Sequence, residues 1–496
     1  MGFADADDTS TEWFPSVIAA RGGVLKFGLE ALRVSQDPAW SVLRSFKRLL
    51  SGEGAAPGRT VELGGDSFRV IDLLAEYLRA LRTAILESSS ARRTSGAVSV
   101  VVGTPANAHG TQRFLTIEAF RRAGFDVVAM INEPSAAGFE YTHRYRATLT
   151  SRRRDVIVYD LGGGTFDASR IRTEGRHHTV LRTAGINQLG GDDFDARLAV
   201  MVLDALGREH EDLDDGTVRT LLDRCRTAKE QLNPNSRRIA IELDGLALPG
   251  ETRTEITLAA SEYYAACDAL IEQSVAATDP LLALDADDRD AEGTAYDVAG
   301  LYVVGGASAL PAVGRKLRER YGSRVHRSPY PFASTAIGLA VALDSDEGFE
   351  VSDQLSRHFG VFREGEHGQA VTFDAILRAD TRVPSSRELA VLHRRRYRPA
   401  HNIGHFRFAE VSAVDDAGHP HGEITPYGDI LFPFDRELRA RGDELSRVAV
   451  QRTPGEGPVI EEQYSVDPNG IVHVAIVDLE NGYRREFQLG SSASAA

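Results

Sequence analysis

The sequence predicts an α/β domain followed by an all-β domain, and three features of the pattern predict it. Apolar runs alternate with segments of helical spacing up to residue 343, which is typical of α/β folds. The acidic, polar stretch Asp344–Gly348 then interrupts this alternation, as linkers do. Beyond it, short alternating segments and an Asn-Gly turn indicate antiparallel strands. The expected organisation is an α/β domain at 1–343, an interdomain linker at 344–354, a β domain at 355–489 and a disordered tail at 490–496.

The first predicted elements come from the spacing of apolar residues. Apolar residues three or four positions apart indicate helices, whereas continuous or alternating apolar runs indicate strands. In chain order, this spacing gives a strand at Phe14–Ala20, helices at 41–50 and 71–87, a buried strand at Val98–Val102, a helix near 110–123 and a strand at Val127–Ile131. The last three elements form a β-α-β unit.

The later elements are predicted in the same way. A strand at Val156–Tyr159 enters a glycine-rich turn and a second strand leaves it. Helices follow from Gly190 to about Leu206 and at 217–232 and 259–277, then a strand at Leu301–Val304 and helices at 311–320 and 333–343. In the β domain, Ile460–Val466 and Ile471–Val477 flank the turn Asp467–Gly470, which is a strong hairpin signal.

Composition narrows the class of protein. The 496 residues are 42% apolar and 26% charged, as in water-soluble globular proteins. No apolar stretch approaches the roughly 18 residues that span a membrane, and no secretory signal opens the chain. The net charge of −15 argues against nucleic acid as a partner. Two cysteines, Cys225 and Cys267, fit reduced thiols, so we expect a cytoplasmic protein.

Lysine is rare in this chain. Only four of the 57 basic residues are lysines, namely Lys26, Lys47, Lys229 and Lys316. Lysine is a compact point charge, whereas arginine is a planar fork. In a chain so rich in arginine, each lysine therefore indicates a position where a compact charge is a candidate requirement.

The octapeptide Asp160–Asp167 carries the strongest chemical signal. Its three glycines let the backbone approach closely and turn N–H groups toward anionic oxygens. The aspartates at its two ends are suited to hold a hydrated Mg²⁺, which keeps most of its waters. An apolar strand that ends in this loop is suited to bind polyphosphate.

The octapeptide resembles the second phosphate-binding loop of the Hsp70 (DnaK-like) chaperone family. Other segments resemble the same family in the same order. They are Ser45–Leu50, Val101–Ala106 with Gln112 and Arg113, Ile131–Ala137, Leu189–Asp195, Cys225–Lys229, Val304–Gly306 and Val459–Asp478. The resemblance implies an actin-like ATPase domain followed by a peptide-binding β-sandwich.

The resemblance also implies roles for individual residues. The catalytic set would be Lys47, Glu133, Asp160, Thr165 and Asp167, with Asp160 and Asp167 holding Mg²⁺ through water. ATP or ADP would lie against Gly162, Gly163, Gly164, Gly190, Gly191, Lys229, Gly305 and Gly306. Pro105 and Arg113 fall where the family relays the nucleotide state to its second domain. Hydrolysis in such a site needs mainly positioning and electrostatic stabilisation.

Several departures from the family pattern limit these expectations. The family's first phosphate loop should precede Phe14, but Met1–Ser10 hold no glycine pair, so ATP binding by the chain as printed should be poor. Either the true start lies upstream or the form is truncated. In the adenosine region, Arg226, Ala307 and Ala309 replace polar family residues. The linker lacks its leucine-rich core, which predicts weak or altered docking, and no helical lid follows Leu489, which predicts short client residence.

The basic segment His393–Arg398 departs from the family's β domain as well. It could favour acidic peptides or a fixed partner, and the alternative is an edge strand that its charge protects from aggregation. His393, His401 and His405 lack a supporting ligand pattern for a metal site.

The sequence thus predicts a divergent Hsp70-family chaperone that takes part in protein folding and the stress response. It would couple ATP hydrolysis to unfolded or specific client polypeptides, with J-domain or nucleotide-exchange cochaperones as partners and no membrane. Two alternatives stay open: a scaffold that keeps the actin-like fold without ATP turnover, and a small-molecule kinase or phosphatase on the same fold.

Overall fold

The computed structural model describes residues 2–4, 10–35, 37, 39–50, 56–90, 97–105, 108–174, 177–283, 297–343, 350–352, 354–365, 369–379, 381–384, 391–415, 417–453 and 457–491. Residues 344–349 and 353 of the predicted linker, and residues 492–496 of the predicted tail, lie outside this range.

The N-terminal part contains nine strands and four α-helices within the described residues. The strands are β1 (Phe3–Ala4), β2 (Ser10–Thr11), β3 (Val17–Arg21), β4 (Val24–Phe27), β5 (Ser41–Arg44), β6 (Thr60–Leu63), β7 (Asp66–Arg69), β8 (Val98–Thr104) and β9 (Phe125–Asn132). The helices are α1 (Gly28–Val34), α2 (Val70–Glu87), α3 (Gly110–Arg122) and α4 (Glu133–Arg144). β4, β3 and β5 form one antiparallel sheet, and β8 and β9 form a parallel pair.

The helix predicted at 41–50 was wrong in its first half. Ser41–Arg44 is strand β5, which pairs with β3, and only Phe46–Leu50 forms a short 3-10 helix. Ile18 lies opposite Leu43 in this pairing, so a contact between distant segments outweighs the local spacing. The strand predicted at Phe14–Ala20 begins at Val17.

The middle part forms the largest sheet. Its elements are β10 (Arg153–Leu161), β11 (Phe166–Glu174), β12 (His177–Ile186), α5 (Gly191–Leu206), α6 (Asp215–Glu230), β13 (Arg238–Glu242), β14 (Glu255–Ala259), α7 (Ala260–Thr278), β15 (Asp297–Val304), α8 (Pro311–Tyr321), β16 (Val325–Arg327), α9 (Ser334–Leu343) and β17 (Glu350–Ser352). The strand order is β16-β15-β10-β11-β12-β17. β10, β11 and β12 are antiparallel neighbours, whereas β15 runs parallel to β10.

Strand β10 is buried on both faces of this sheet. Ile157 and Tyr159 join one hydrophobic cluster, while Val156 and Val158 join the cluster on the opposite face. A continuous apolar run is what a strand covered on both sides requires. Asp160 is the residue before Leu161, the last residue of β10, so it lies at the end of this central strand.

Part of the predicted linker is a strand. Glu350–Ser352 forms β17, which pairs in parallel with β12 as the sixth strand of the large sheet. The segment therefore docks through backbone hydrogen bonds, which do not depend on the leucine-rich sequence that it lacks.

The C-terminal part is rich in β-structure, as the sequence predicts. Its strands are β18 (His358–Gly365), β19 (Ala370–Leu377), β20 (Val391–Tyr397), β21 (Ile403–Val414), β22 (Pro420–Pro426), β23 (Ile430–Pro433), β24 (Ile460–Val466), β25 (Val472–Asp478) and β26 (Arg484–Gln488). One sheet has the order β19-β18-β21-β22, with β23 also on β21, and the other has the order β20-β24-β25-β26. Both sheets contribute to one hydrophobic cluster, and β24 and β25 form the predicted hairpin.

The basic strand β20 lies at the edge of its sheet. Arg395 binds Asp374 at 2.8 Å, and Arg396 binds Glu461 at 2.5 Å. Since these guanidinium groups are paired within the chain, the structure favours the charged edge strand over a site for acidic peptides.

Candidate functional site

The two aspartates of the octapeptide are neighbours across a hairpin. Asp160 lies next to the last residue of β10 and directly opposite Asp167 of β11 in the antiparallel register. Between them the loop closes with a hydrogen bond from the Gly162 N–H to the Thr165 carbonyl, at 3.0 Å. The hairpin thus presents two carboxylates at the base of a glycine-rich turn.

A second pair of glycines packs onto this turn. The N–H of Gly191 donates to the Gly162 carbonyl at 3.0 Å, and the N–H of Asp192 donates to the Gly163 carbonyl at 2.8 Å. A Cβ on Gly190 would lie 2.6 Å from the backbone of Gly163, so only glycine fits there. These contacts fix the first turn of α5 against the loop.

The structure brings Lys47 and Glu133 to the same place from distant segments. Lys47 lies on the short 3-10 helix, and Glu133 is the first residue of α4, which follows the N-cap Asn132. Their side chains form an ion pair of 2.5 Å. Desolvation lowers the pKa of Lys47, but the charges of Glu133, Asp167 and Asp160 outweigh it and raise the pKa overall.

The space between Lys47, Glu133, Asp160 and Asp167, which we call the cleft, carries more negative than positive charge. Desolvation and the Glu133 carboxylate raise the pKa of Asp160 to about 7 and that of Asp167 to about 7, although Lys47 acts in the opposite direction. Three carboxylates and one ammonium group leave an excess of negative charge, which a further cation can neutralise. Carboxylate oxygens are suitable ligands for Mg²⁺. Asp160 and Asp167 therefore fit the predicted hydrated metal, although no described cluster has the three or more ligands of a direct protein-only metal site.

Gly305, the first residue of the diglycine after β15, has no room for a side chain. Gly305 has φ of +83°, and a Cβ there would collide with Asp160 Oδ1 and with the Leu161 carbonyl. A Cβ on Gly306 would lie 2.5 Å from the ring of Phe332. The diglycine therefore forms a wall directly beside the octapeptide.

Lys229 lies against the same region but is not free. Its Nζ donates to the Gly191 carbonyl at 2.9 Å and pairs with Asp195 at 2.6 Å, and the residue is buried. Lys229 thus supports the start of α5 from behind. Its predicted contact with nucleotide stays a prediction.

Sequence reasoning missed Arg44, Ser45 and Arg48, which bridge the two sides of the cleft. Arg48 donates to the Gly164 carbonyl at 3.0 and 2.6 Å and pairs with Asp193 at 3.1 Å. Arg44 pairs with Asp223 at 3.0 Å, and Ser45 Oγ donates to Asp192 at 2.5 Å. In the sequence, only their position beside Lys47 could have indicated that these residues belong to the site.

Ser45 also carries backbone strain. Its φ of +49° is the only left-handed value at a non-glycine position among the described residues. Such strain costs on the order of 1 kcal/mol and often accompanies functional sites. The strained residue immediately precedes the segment that carries Lys47 and Arg48.

Comparison with known proteins shows the family to which the chain belongs. The family model "Hsp70 protein" matches residues 47–356, and the chain belongs to the Hsp70 family. Membership of this family implies an actin-like domain, and members of the family bind nucleotide.

Among curated relatives, the chain is similar to the "Chaperone protein HscA homolog" of Laribacter hongkongensis (strain HLHK9). The two are 33% identical over 352 residues, which cover 68% of this chain and 53% of the relative. The chain thus spans about half the length of this relative. Among the described helices, none is both long and apolar enough to cross a bilayer.

Proposed function

We propose that this chain is an Hsp70-type chaperone whose α/β domain, residues 1–343, binds and hydrolyses Mg²⁺-bound ATP. The observation that carries the proposal is the convergence of Lys47, Glu133, Asp160 and Asp167 behind the glycine-rich loop. These groups come from three separate segments, and no packing role requires three carboxylates to share one lysine.

The site residues divide the chemistry among them. The backbone N–H groups of Gly163 and Gly164 donate to phosphate oxygens, while Gly162, Gly190 and Gly191 hold the loop in place and Thr165 adds a hydroxyl donor. Glu133 orients the attacking water, and Lys47 offsets the charge that develops on the phosphate. Mg²⁺, when bound through water to Asp160 and Asp167, supplies neutralisation of the phosphate charge.

The β-rich region at 355–489 is the proposed client-binding part. Its contacts with the α/β part provide a physical route for coupling. Ile471 packs with Val102, Ile117 and Met130, and Arg113 donates to the Asn469 carbonyl at 3.2 Å. Unfolded polypeptides would be its clients, with J-domain or nucleotide-exchange cochaperones as partners.

A second candidate is a scaffold that keeps the fold without ATP turnover. The observation that favours it is Arg48, whose guanidinium lies against the phosphate-loop residue Gly164. Lys229 and Arg226 are likewise engaged with Asp195. A site whose described cations, Lys47, Arg48, Arg226 and Lys229, are paired within the protein would hold nucleotide weakly.

Isothermal titration calorimetry separates the two candidates. The ATPase proposal expects heat of binding with ATP that depends on Mg²⁺ and is lost in Asp160→Ala. Asp66→Ala, at the exposed aspartate that begins β7, is the matched control and should bind as the wild type does. A wild-type chain that gives no heat with Mg²⁺ and ATP would favour the scaffold.

A further inference from the structure

Phe332 is a large aromatic residue that the fold leaves in solvent. It is 74% exposed, although burial of a phenylalanine side chain contributes about 1.5–3 kcal/mol to stability. No other described aromatic ring lies against it. This exposed ring borders the candidate binding site, where a bound ligand can cover it.

The ring is held in place from one side. It contacts the backbone of Gly306, where a Cβ would lie 2.5 Å from Phe332 Cε1. The neighbouring turn is tied to the diglycine by a hydrogen bond from the Gly305 N–H to the Pro331 carbonyl, at 3.0 Å. Phe332 is therefore positioned by the same diglycine that lines the cleft beside Asp160.

A continuous wall joins the phosphate loop to this ring. A Cβ on Gly191 would lie 3.6 Å from Gly163 Cα and 3.6 Å from Ala307 Cβ. Ala307 directly follows Gly306, which contacts Phe332. A nucleotide with its phosphates at Gly163 would run along this wall toward the ring, with its base at the far end.

The same wall offers few side-chain hydrogen bonds to a base. Ala307 and Ala309 have no polar side-chain atoms. Ser308 is buried and its hydroxyl donates to the Gly305 carbonyl at 2.6 Å. Arg226 is held by Asp192 at 2.8 Å and by Asp195 at 3.0 Å. The edge of a nucleobase would therefore find few side-chain hydrogen-bond partners along this wall.

We infer that Phe332 stacks on the nucleobase of the bound nucleotide, and that this site accepts adenine and guanine triphosphates with little discrimination. The inference rests on the proposed nucleotide binding. Aromatic stacking tolerates any base because every base has a π face, whereas discrimination needs hydrogen bonds to the base edge.

Calorimetry with the full chain tests the inference, using Mg²⁺ with ATP, GTP or inorganic tripolyphosphate. Phe332→Ala should lower the affinity for ATP and for GTP by between about 5-fold and about 100-fold, which is the range expected when one stacked base loses its aromatic partner. Tripolyphosphate has no base and should bind both proteins within about 2-fold. Wild-type affinities for ATP and GTP should agree within about 5-fold.

Two controls accompany the measurement. Phe332→Tyr keeps a stacking ring and should retain ATP affinity within about 3-fold. Val371→Ala removes another exposed apolar side chain, 71% exposed and in β19, and should leave all three ligands unaffected. Equal melting temperatures establish that each variant is folded.

The outcomes separate this inference from the proposed function. If the wild type binds ATP and Phe332→Ala binds it equally well, stacking is wrong and nucleotide binding stands. A preference for ATP over GTP greater than about 100-fold would also overturn the inference. If the wild type binds neither ATP nor tripolyphosphate, the proposed function is wrong and the inference fails with it.

Discussion

Both carboxylate oxygens of Glu410 accept the backbone N–H of Gly110, at 3.2 and 3.1 Å, across the boundary between the β-rich and α/β parts. Gly110 is the first residue of α3, so the carboxylate meets the positive end of the helix. The Tyr427 hydroxyl donates to the same carboxylate at 2.6 Å. Burial raises the pKa of Glu410, while Tyr427, the Gly110 N–H and two nearby arginines act in the opposite direction.

Loss of this carboxylate should loosen the contact between the two parts. Glu410→Ala leaves the Gly110 N–H and the Tyr427 hydroxyl buried without their partner, which costs on the order of 3 kcal/mol. We expect a lower melting temperature and faster hydrogen exchange at residues 110–114. Glu486→Ala, at an exposed glutamate of β26, is the control. Unchanged exchange at the start of α3 would show that Glu410 does not hold the contact.

The two cleft aspartates predict a pH dependence of stability. Their pKa values are raised to about 7 in the folded protein, compared with about 3.9 for aspartate in an unfolded chain. Between these values the native state binds more protons than the unfolded state. The free energy of unfolding therefore falls as pH rises through this window.

Asp160→Asn removes one of these titrating groups. The melting temperature of the variant minus that of the wild type should increase by on the order of 3 °C as the pH rises from about 5 to about 8. Thermal denaturation without nucleotide or Mg²⁺ measures this difference. Asp66→Asn, at an exposed aspartate of β7, is the control variant, and a pH-independent difference for Asp160→Asn would contradict the assignment.

Lys47 should act on turnover more than on binding. Its ammonium group pairs with Glu133 and faces both aspartates, so Lys47→Ala removes the positive charge closest to these three carboxylates. Under the proposed function, single-turnover ATP hydrolysis should slow by at least about 100-fold. ATP affinity should change by less than about 10-fold.

The matched control for this lysine is Lys316→Ala. Lys316 lies on α8 and pairs with Asp268 and Glu272 on the protein surface, so hydrolysis should be unaffected. Equal turnover in Lys47→Ala and the wild type would remove Lys47 from the mechanism.

Gly305 should tolerate no side chain. Gly305→Ala combines an unfavourable φ of +83° with a collision against Asp160 and Leu161, at a cost of about 3 kcal/mol or more. Gly245→Ala is a matched comparison, since its φ is +74° but the space around it is open. It should cost only about 1–2 kcal/mol. Equal losses of stability in denaturant titrations would show that the close approach at Gly305 is absent.

Local patterns predicted those parts of the fold that local physics controls. The hairpin of β24 and β25 follows from alternation around an Asn-Gly turn, and the loop after β10 follows from three consecutive glycines. By contrast, β5 was predicted as helix because its partner β3 lies more than 20 residues earlier in the chain. The spacing of apolar residues within a segment does not show whether a distant strand pairs with that segment.

The sequence by itself determined the family, the glycine-rich loop and the order of the phosphate-binding segments, because glycines and strand ends act through the local backbone. Only the tertiary structure decided which charges meet. It placed Lys47 against Glu133, Arg48 against Gly164, and Glu410 against Gly110, pairs separated by 86, 116 and 300 positions. Charge pairing and desolvation depend on distance in space, so the raised pKa values of Asp160 and Asp167 and the exposed ring of Phe332 appear only once the chain is folded.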